Sequence, residues 1–60
     1  MLDNFDIFRI LPDGDPIWIK SVPYLEEARV QIRRLTAISP GDYFVYSHIT
    51  GSVVPEPARS

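Results

Sequence analysis

The dipeptide Asp13-Gly14, set between Pro12 and Pro16, constrains this chain more than any other feature. Asp-Gly is a strong signal for a type I′ hairpin turn, in which both central residues take positive φ. The runs on either side favour strands. Phe5 to Leu11 reads Phe-Asp-Ile-Phe-Arg-Ile-Leu, and Ile17 to Val22 reads Ile-Trp-Ile-Lys-Ser-Val. The prolines stop both strands from running into the loop. The expectation is a β-hairpin closed by a two-residue turn.

That turn sets the pairing by arithmetic. Pro12 faces Asp15, Ile10 faces Ile17, Arg9 faces Trp18, Phe8 faces Ile19 and Ile7 faces Lys20. Alternation then divides the side chains between two faces. One carries Phe8, Ile10, Ile17 and Ile19, all apolar. The other carries Phe5, Ile7, Arg9, Trp18, Lys20 and Val22, which is mixed. A slip of one residue would scramble this division, so the all-apolar set is expected to face the core.

Pro23 opens a helix, since proline is tolerated in a first turn, and Ser21 is a candidate cap. Glu26 and Glu27 near the start, with Arg33 and Arg34 nearer the end, suit the helix dipole. Leu25, Ala28, Ile32 and Leu35 form one apolar stripe, with Tyr24 and Ile38 at its edge. Ser39-Pro40-Gly41 ends the helix. Tyr43 to His48 reads as a third strand. Thr50-Gly51 reads as a turn, and Ser52 to Val54 as a short fourth strand. Residues 55–60, with two prolines, read as a disordered tail beyond a single domain over 1–54.

A right-handed crossover from the second strand to the third makes those two parallel. The third strand then pairs beside the first. The expected fold is therefore α+β: a mostly antiparallel sheet of order 2-1-3-4 with one helix on one face.

A chain of 60 residues makes one domain, and one that buries only ~60% of its unfolded surface. Its hydrophobic content of 45% and net charge of −2 are those of a folded protein rather than a disordered one. The negative balance argues against a dedicated nucleic-acid binder, which needs a basic footprint. The absence of cysteine excludes a disulfide framework and thiolate metal sites. Small secreted domains lean on disulfides, so a cytoplasmic setting is the expectation. No apolar run is long enough to span a membrane, and the acidic start Met1-Leu2-Asp3-Asn4 is unlike a signal peptide.

The order of signals resembles that of small uncharacterised bacterial proteins with a ββαβ(β) layout. The resemblance rests on Phe5-Asp6-Ile7-Phe8-Arg9, Pro16-Ile17-Trp18-Ile19, Leu25-Glu26-Glu27-Ala28 and Leu35. It continues in Pro40-Gly41-Asp42-Tyr43-Phe44-Val45-Tyr46 and Thr50-Gly51, so it covers residues 5 to 54. These motifs are structural punctuation. The resemblance implies the fold and a bacterial cytoplasmic setting; it carries no catalytic residues to transfer.

One helix cannot cover both faces of a four-stranded sheet. The mixed face of Phe5, Ile7, Arg9, Trp18, Lys20 and Val22 is thus the candidate interaction surface, because exposed apolar patches with aromatic and arginine anchors mark binding sites. Its bland counterpart is an Arg9–Trp18 cation–π pair over half-wet sheet. Tyr43-Phe44-Val45-Tyr46 could stack on bases or simply fill a thin core; alternation alone does not say which pair meets the helix. His48, the only histidine, has Ser47 beside it, but adjacent strand residues point to opposite faces. Asp13 and Asp15 lack the twelve-residue calcium pattern and fit turn chemistry. Arg29, Arg33 and Arg34 read as a solvated charged face or a phosphate contact. Val30 and Ala37 lie opposite the apolar stripe.

No acid–base, nucleophile, cofactor or metal constellation emerges. The expected function is a non-enzymatic protein-interaction module, self-associating as a homodimer or docking another protein. The rival is a nucleic-acid-binding module using Arg9, Lys20, Trp18 and the strand aromatics.

Overall fold

A computed structural model describes residues 3–55. Its elements run β1 (Phe5–Ile10), β2 (Pro16–Val22), α1 (Leu25–Ile38), β3 (Asp42–Ser47) and β4 (Ser52–Val53). The four strands form one sheet of order β2-β1-β3-β4, antiparallel at every pair. The α+β layout and the strand order agree with the reading of the sequence. The tail expected over 55–60 falls, beyond Pro55, outside the described residues.

The hairpin turn is not the expected one. The Leu11 N–H donates to the Asp15 carbonyl at 2.8 Å, and the Gly14 N–H donates to the Leu11 carbonyl at 2.8 Å. Only Gly14 in this turn has positive φ, at 95°. This is the three-residue loop Pro12-Asp13-Gly14: a four-residue turn from Leu11, then glycine in the left-handed region. Pro12 explains the choice. A two-residue turn would need an N–H from residue 12 to close the ladder, and proline has none. In the three-residue loop Pro12 takes the second turn position, where its fixed φ is favourable. The Asp15 N–H also donates to Asp13 Oδ1 at 3.0 Å, which holds the tip.

One more residue in the loop shifts the register by one. Phe8 pairs with Trp18, Arg9 with Ile17 and Ile10 with Pro16, in place of the expected Ile19, Trp18 and Ile17. A β-bulge opposite the Ile7/Phe8 step then absorbs Ile19, and Ile7 pairs with Lys20 as expected.

The faces are exchanged as a result. The helix covers the side that bears Ile7, Val22 and Val45, which with Ala28 make the buried core. Phe5, Ile19, Leu25, Ile32, Leu35 and Val54 pack around it. Of the expected strand core, Ile19 alone reaches this cluster. Phe8 and Ile10 turn to the open face, and Ile17 lies exposed at the sheet edge. The helical stripe Leu25, Ala28, Ile32, Leu35 does meet the sheet. Within β3, Val45 and Tyr43 share the helix side while Phe44 and Tyr46 take the other.

α1 starts two residues after Pro23, with Tyr24 at the cap position and no side-chain cap. Ser21 belongs to β2 and caps nothing. The C-terminal end is better closed. The last turn contains no basic residue, and Arg9 of β1 supplies the charge from across the sheet. Its guanidinium donates to Ser39 Oγ and, at 3.2 Å, to the Pro40 carbonyl. The Tyr43 hydroxyl donates to the Ser39 carbonyl at 2.6 Å, and Arg9 lies over the Tyr43 ring at 5.6 Å. A cation here opposes the negative end of the helix dipole, while its hydrogen bonds hold the two residues that follow the helix.

Candidate interaction surface

The uncovered side of the sheet is built from alternate residues of β1 and β3 with the tip-side half of β2. Phe8 and Phe44 are direct cross-strand neighbours. Their rings stack with centroids 5.0 Å apart and planes 7° from parallel. Trp18, opposite Phe8 on β2, is 59% exposed. Tyr46 lies one pair further along β3 and meets the His48 ring edge-on at 5.3 Å. Ile10 completes an apolar and aromatic band across three strands.

A polar chain borders this band. Trp18 Nε1–H donates to Ser21 Oγ at 3.3 Å, and the Ser21 hydroxyl donates to Asp6 Oδ1. His48 Nε2 meets Asp6 Oδ2 at 2.7 Å. The carboxyl of Asp6 is held below the usual carboxylate range, first by the Ser21 hydroxyl. Burial opposes that effect, and the hydrogen bond and charge of His48 add to it. The chemical logic of the chain is acceptor-centred: the Asp6 carboxylate receives from both neighbours. Ser21 gives its proton to Asp6 rather than to the imidazole, so Ser21 and His48 do not form a nucleophile–base pair. Ser47, the other hydroxyl near His48, is buried and accepts the N–H groups of Ile49 and Thr50 at 3.1 and 3.3 Å.

The mixed set predicted as the interaction surface does not stay together. Ile7 and Val22 are core residues at 0% and 4% exposure. Phe5 packs beside them, Arg9 closes the helix end, and Lys20 pairs with Ile7 at the outer edge. Trp18 alone reaches the open face. The Arg9–Trp18 contact does not form, since Arg9 sits on Tyr43 instead. Phe8, Ile10, Phe44, Tyr46 and the Asp6–His48 pair are the surface residues that the sequence reading placed elsewhere or left unplaced. Pro12 was the signal that could have found them.

The other candidates resolve simply. Asp13 and Asp15 serve the turn. Arg29, Arg33 and Arg34 are exposed on α1, as are Val30 and Ala37. Among the described residues no group of three His, Cys, Asp or Glu side chains could hold a metal ion. Among those residues, too, no helix is long and apolar enough to cross a membrane. Comparison with family models, with curated proteins and with solved structures finds no match to this chain.

Proposed function

We propose that this chain is a non-enzymatic binding module that docks a protein, a second copy of itself included, through the open face of its sheet. The carrying observation is the band of Trp18, Phe8, Phe44, Tyr46 and Ile10, which no element among the described residues covers. Aromatic residues of this kind contribute large contact area at low entropic cost and dominate interface energetics.

The charges of the face favour a protein over a nucleic acid. Among the described residues the lysine and arginine side chains lie elsewhere, with Arg9 turned to the helix, Lys20 paired with Ile7 and three arginines on α1. The open face instead presents Asp6 and Asp42, which repel phosphates. The aromatic stack offers bases a platform, but it lacks the cations that would hold a backbone.

Sedimentation over a concentration series tests the reading, on the native chain and on Trp18→Ala, at low and moderate salt. Self-association that Trp18→Ala abolishes, with little response to salt, supports docking through this face. Titration with mixed-sequence DNA and RNA runs in parallel. A strictly monomeric chain that binds nucleic acid with a steep salt slope would overturn the reading.

A further inference from the structure

A second surface that none of the described residues covers lies on the helix side. Strands sit ~4.8 Å apart, so a four-stranded sheet is about 19 Å wide, while a helix with its side chains is ~10 Å across. One helix therefore covers about half of such a sheet. α1 lies over β1 and β2. Beside it, over β3 and β4, runs an open groove of about 530 Å³. Leu25 and Ile32 form one wall, Val45 and Val54 the floor, and Arg29 and Arg33 the rim.

We propose that this groove seats an amphipathic helix of a partner protein, its apolar stripe on Ile32 and Val54 and its acidic flank against Arg29 and Arg33. The shape argues for a helix. The uncovered strip has about the width of one, and a second helix there would pack alongside α1 as neighbouring helices do on a sheet. Ile32 and Val54 are only partly buried against the core, so apolar surface remains to be covered. The charge argues for acid. Arg29 and Arg33 stand one turn apart, both exposed, and neither forms an ion pair with another described residue. The only helix among the described residues, α1, carries those same arginines. The apolar stripe of a second copy's α1 is already packed on its own sheet, so the fitting partner is a different, acidic chain. This surface is separate from the open sheet face, and the two proposals stand or fall independently.

The test uses a synthetic helix of about four turns, locked by a lactam bridge so that ordering costs do not mask binding. It carries an apolar stripe and a flanking row of glutamates. A second version replaces the glutamates with lysines. Both are titrated into the isotope-labelled chain while methyl and amide resonances are followed. The glutamate helix should shift Ile32, Val45 and Val54 and leave Trp18 and Phe8 unmoved. The lysine helix should bind roughly tenfold more weakly, given two exposed ion pairs exchanged for repulsions. In the double variant Arg29→Glu, Arg33→Glu that preference should reverse; both positions are exposed, and circular dichroism is the check that the variant folds. Equal affinity of the two helices would overturn the proposal. So would the absence of binding by either, or shifts confined to Trp18 and Phe8, the last of which would instead support the open-face reading.

Discussion

The two faces of β1 differ by one residue step and by almost everything else. Ile7 is fully buried under α1, whereas Phe8, its neighbour, lies on a face that no element among the described residues covers. Both faces are apolar enough to be a core. What separates them is the direction of the backbone groups. An L-residue's side-chain face is tied to the side on which its N–H and C=O point. A right-handed crossover fixes the helix to one side of the sheet. The residues of β1 that hydrogen-bond to β2 therefore decide which set meets the helix, and Pro12 decides that. Hydrophobic content alone chose the wrong face, while one missing N–H selected the right one.

Breaking the covered face should have the largest effect. Ile7→Ala removes a fully buried side chain and should cost ~2–5 kcal/mol, enough to unfold much of a domain this small. Phe8→Ala deletes a larger side chain from the open face and should cost less than Ile7→Ala. Denaturant midpoints of the two variants check this; a larger loss for Phe8 would mean that the faces are assigned the wrong way round.

Arg9 lies on the covered side but at its rim, and an intermediate loss is expected. Arg9→Ala strips the helix end of its cation and leaves the Pro40 carbonyl and Ser39 without their partner. About 1–2 kcal/mol should follow, by analogy with a favourable, partly buried charge at a helix C-terminus. Arg9→Lys should recover only part of it, because a single ammonium cannot reproduce the forked contacts. Thermal melts of the three proteins measure the difference.

On the open face the effects should be smaller and depend on pH. The folded Asp6 carboxyl titrates below its unfolded value, so its contribution to stability is present above the unfolded pKa. That contribution is lost as pH falls through the lower, folded pKa. Asp6→Asn should lower stability near neutral pH, change little at low pH and so flatten the acid limb of the stability curve; an unchanged acid limb would show that the Ser21 and His48 contacts do not hold the charge. The smallest effect belongs to Trp18→Ala, expected within about 0.5 kcal/mol because the ring is mostly exposed. A large loss of stability there would make Trp18 a structural residue and weaken its part in docking.

Much of the architecture was legible in the sequence. The helical stripe of Leu25, Ala28, Ile32 and Leu35 has a period that admits no other reading, and the breaks at Ser39-Pro40-Gly41 and Thr50-Gly51 fall where the chain turns. The strand order follows from crossover handedness, which acts over the whole domain and tolerates local error. The open face was less legible because it hangs on a single loop residue. Asp-Gly is compatible with two loop lengths, and a one-residue difference sends every following side chain to the opposite side. The bulge at Ile19 left still less trace, since a bulge needs no special composition when its extra residue is apolar and finds a core. Arg9 read as a surface anchor because composition does not reveal that a helix fourteen residues long ends directly above it.

That bulge also protects the chain during its life in a crowded solution. β2 is the outermost strand on its side of the sheet, and its free edge would otherwise be a straight template for another strand. The irregular step at Ile19 and Lys20 breaks the spacing of that edge near its middle. Pro16 removes a donor at one end, and Lys20 sets a charge beside the break. An incoming strand could keep register for only a few residues before losing its partners. The same inserted residue that carries Ile19 into the core thus lowers the tendency of neighbouring molecules to zip together into fibrils.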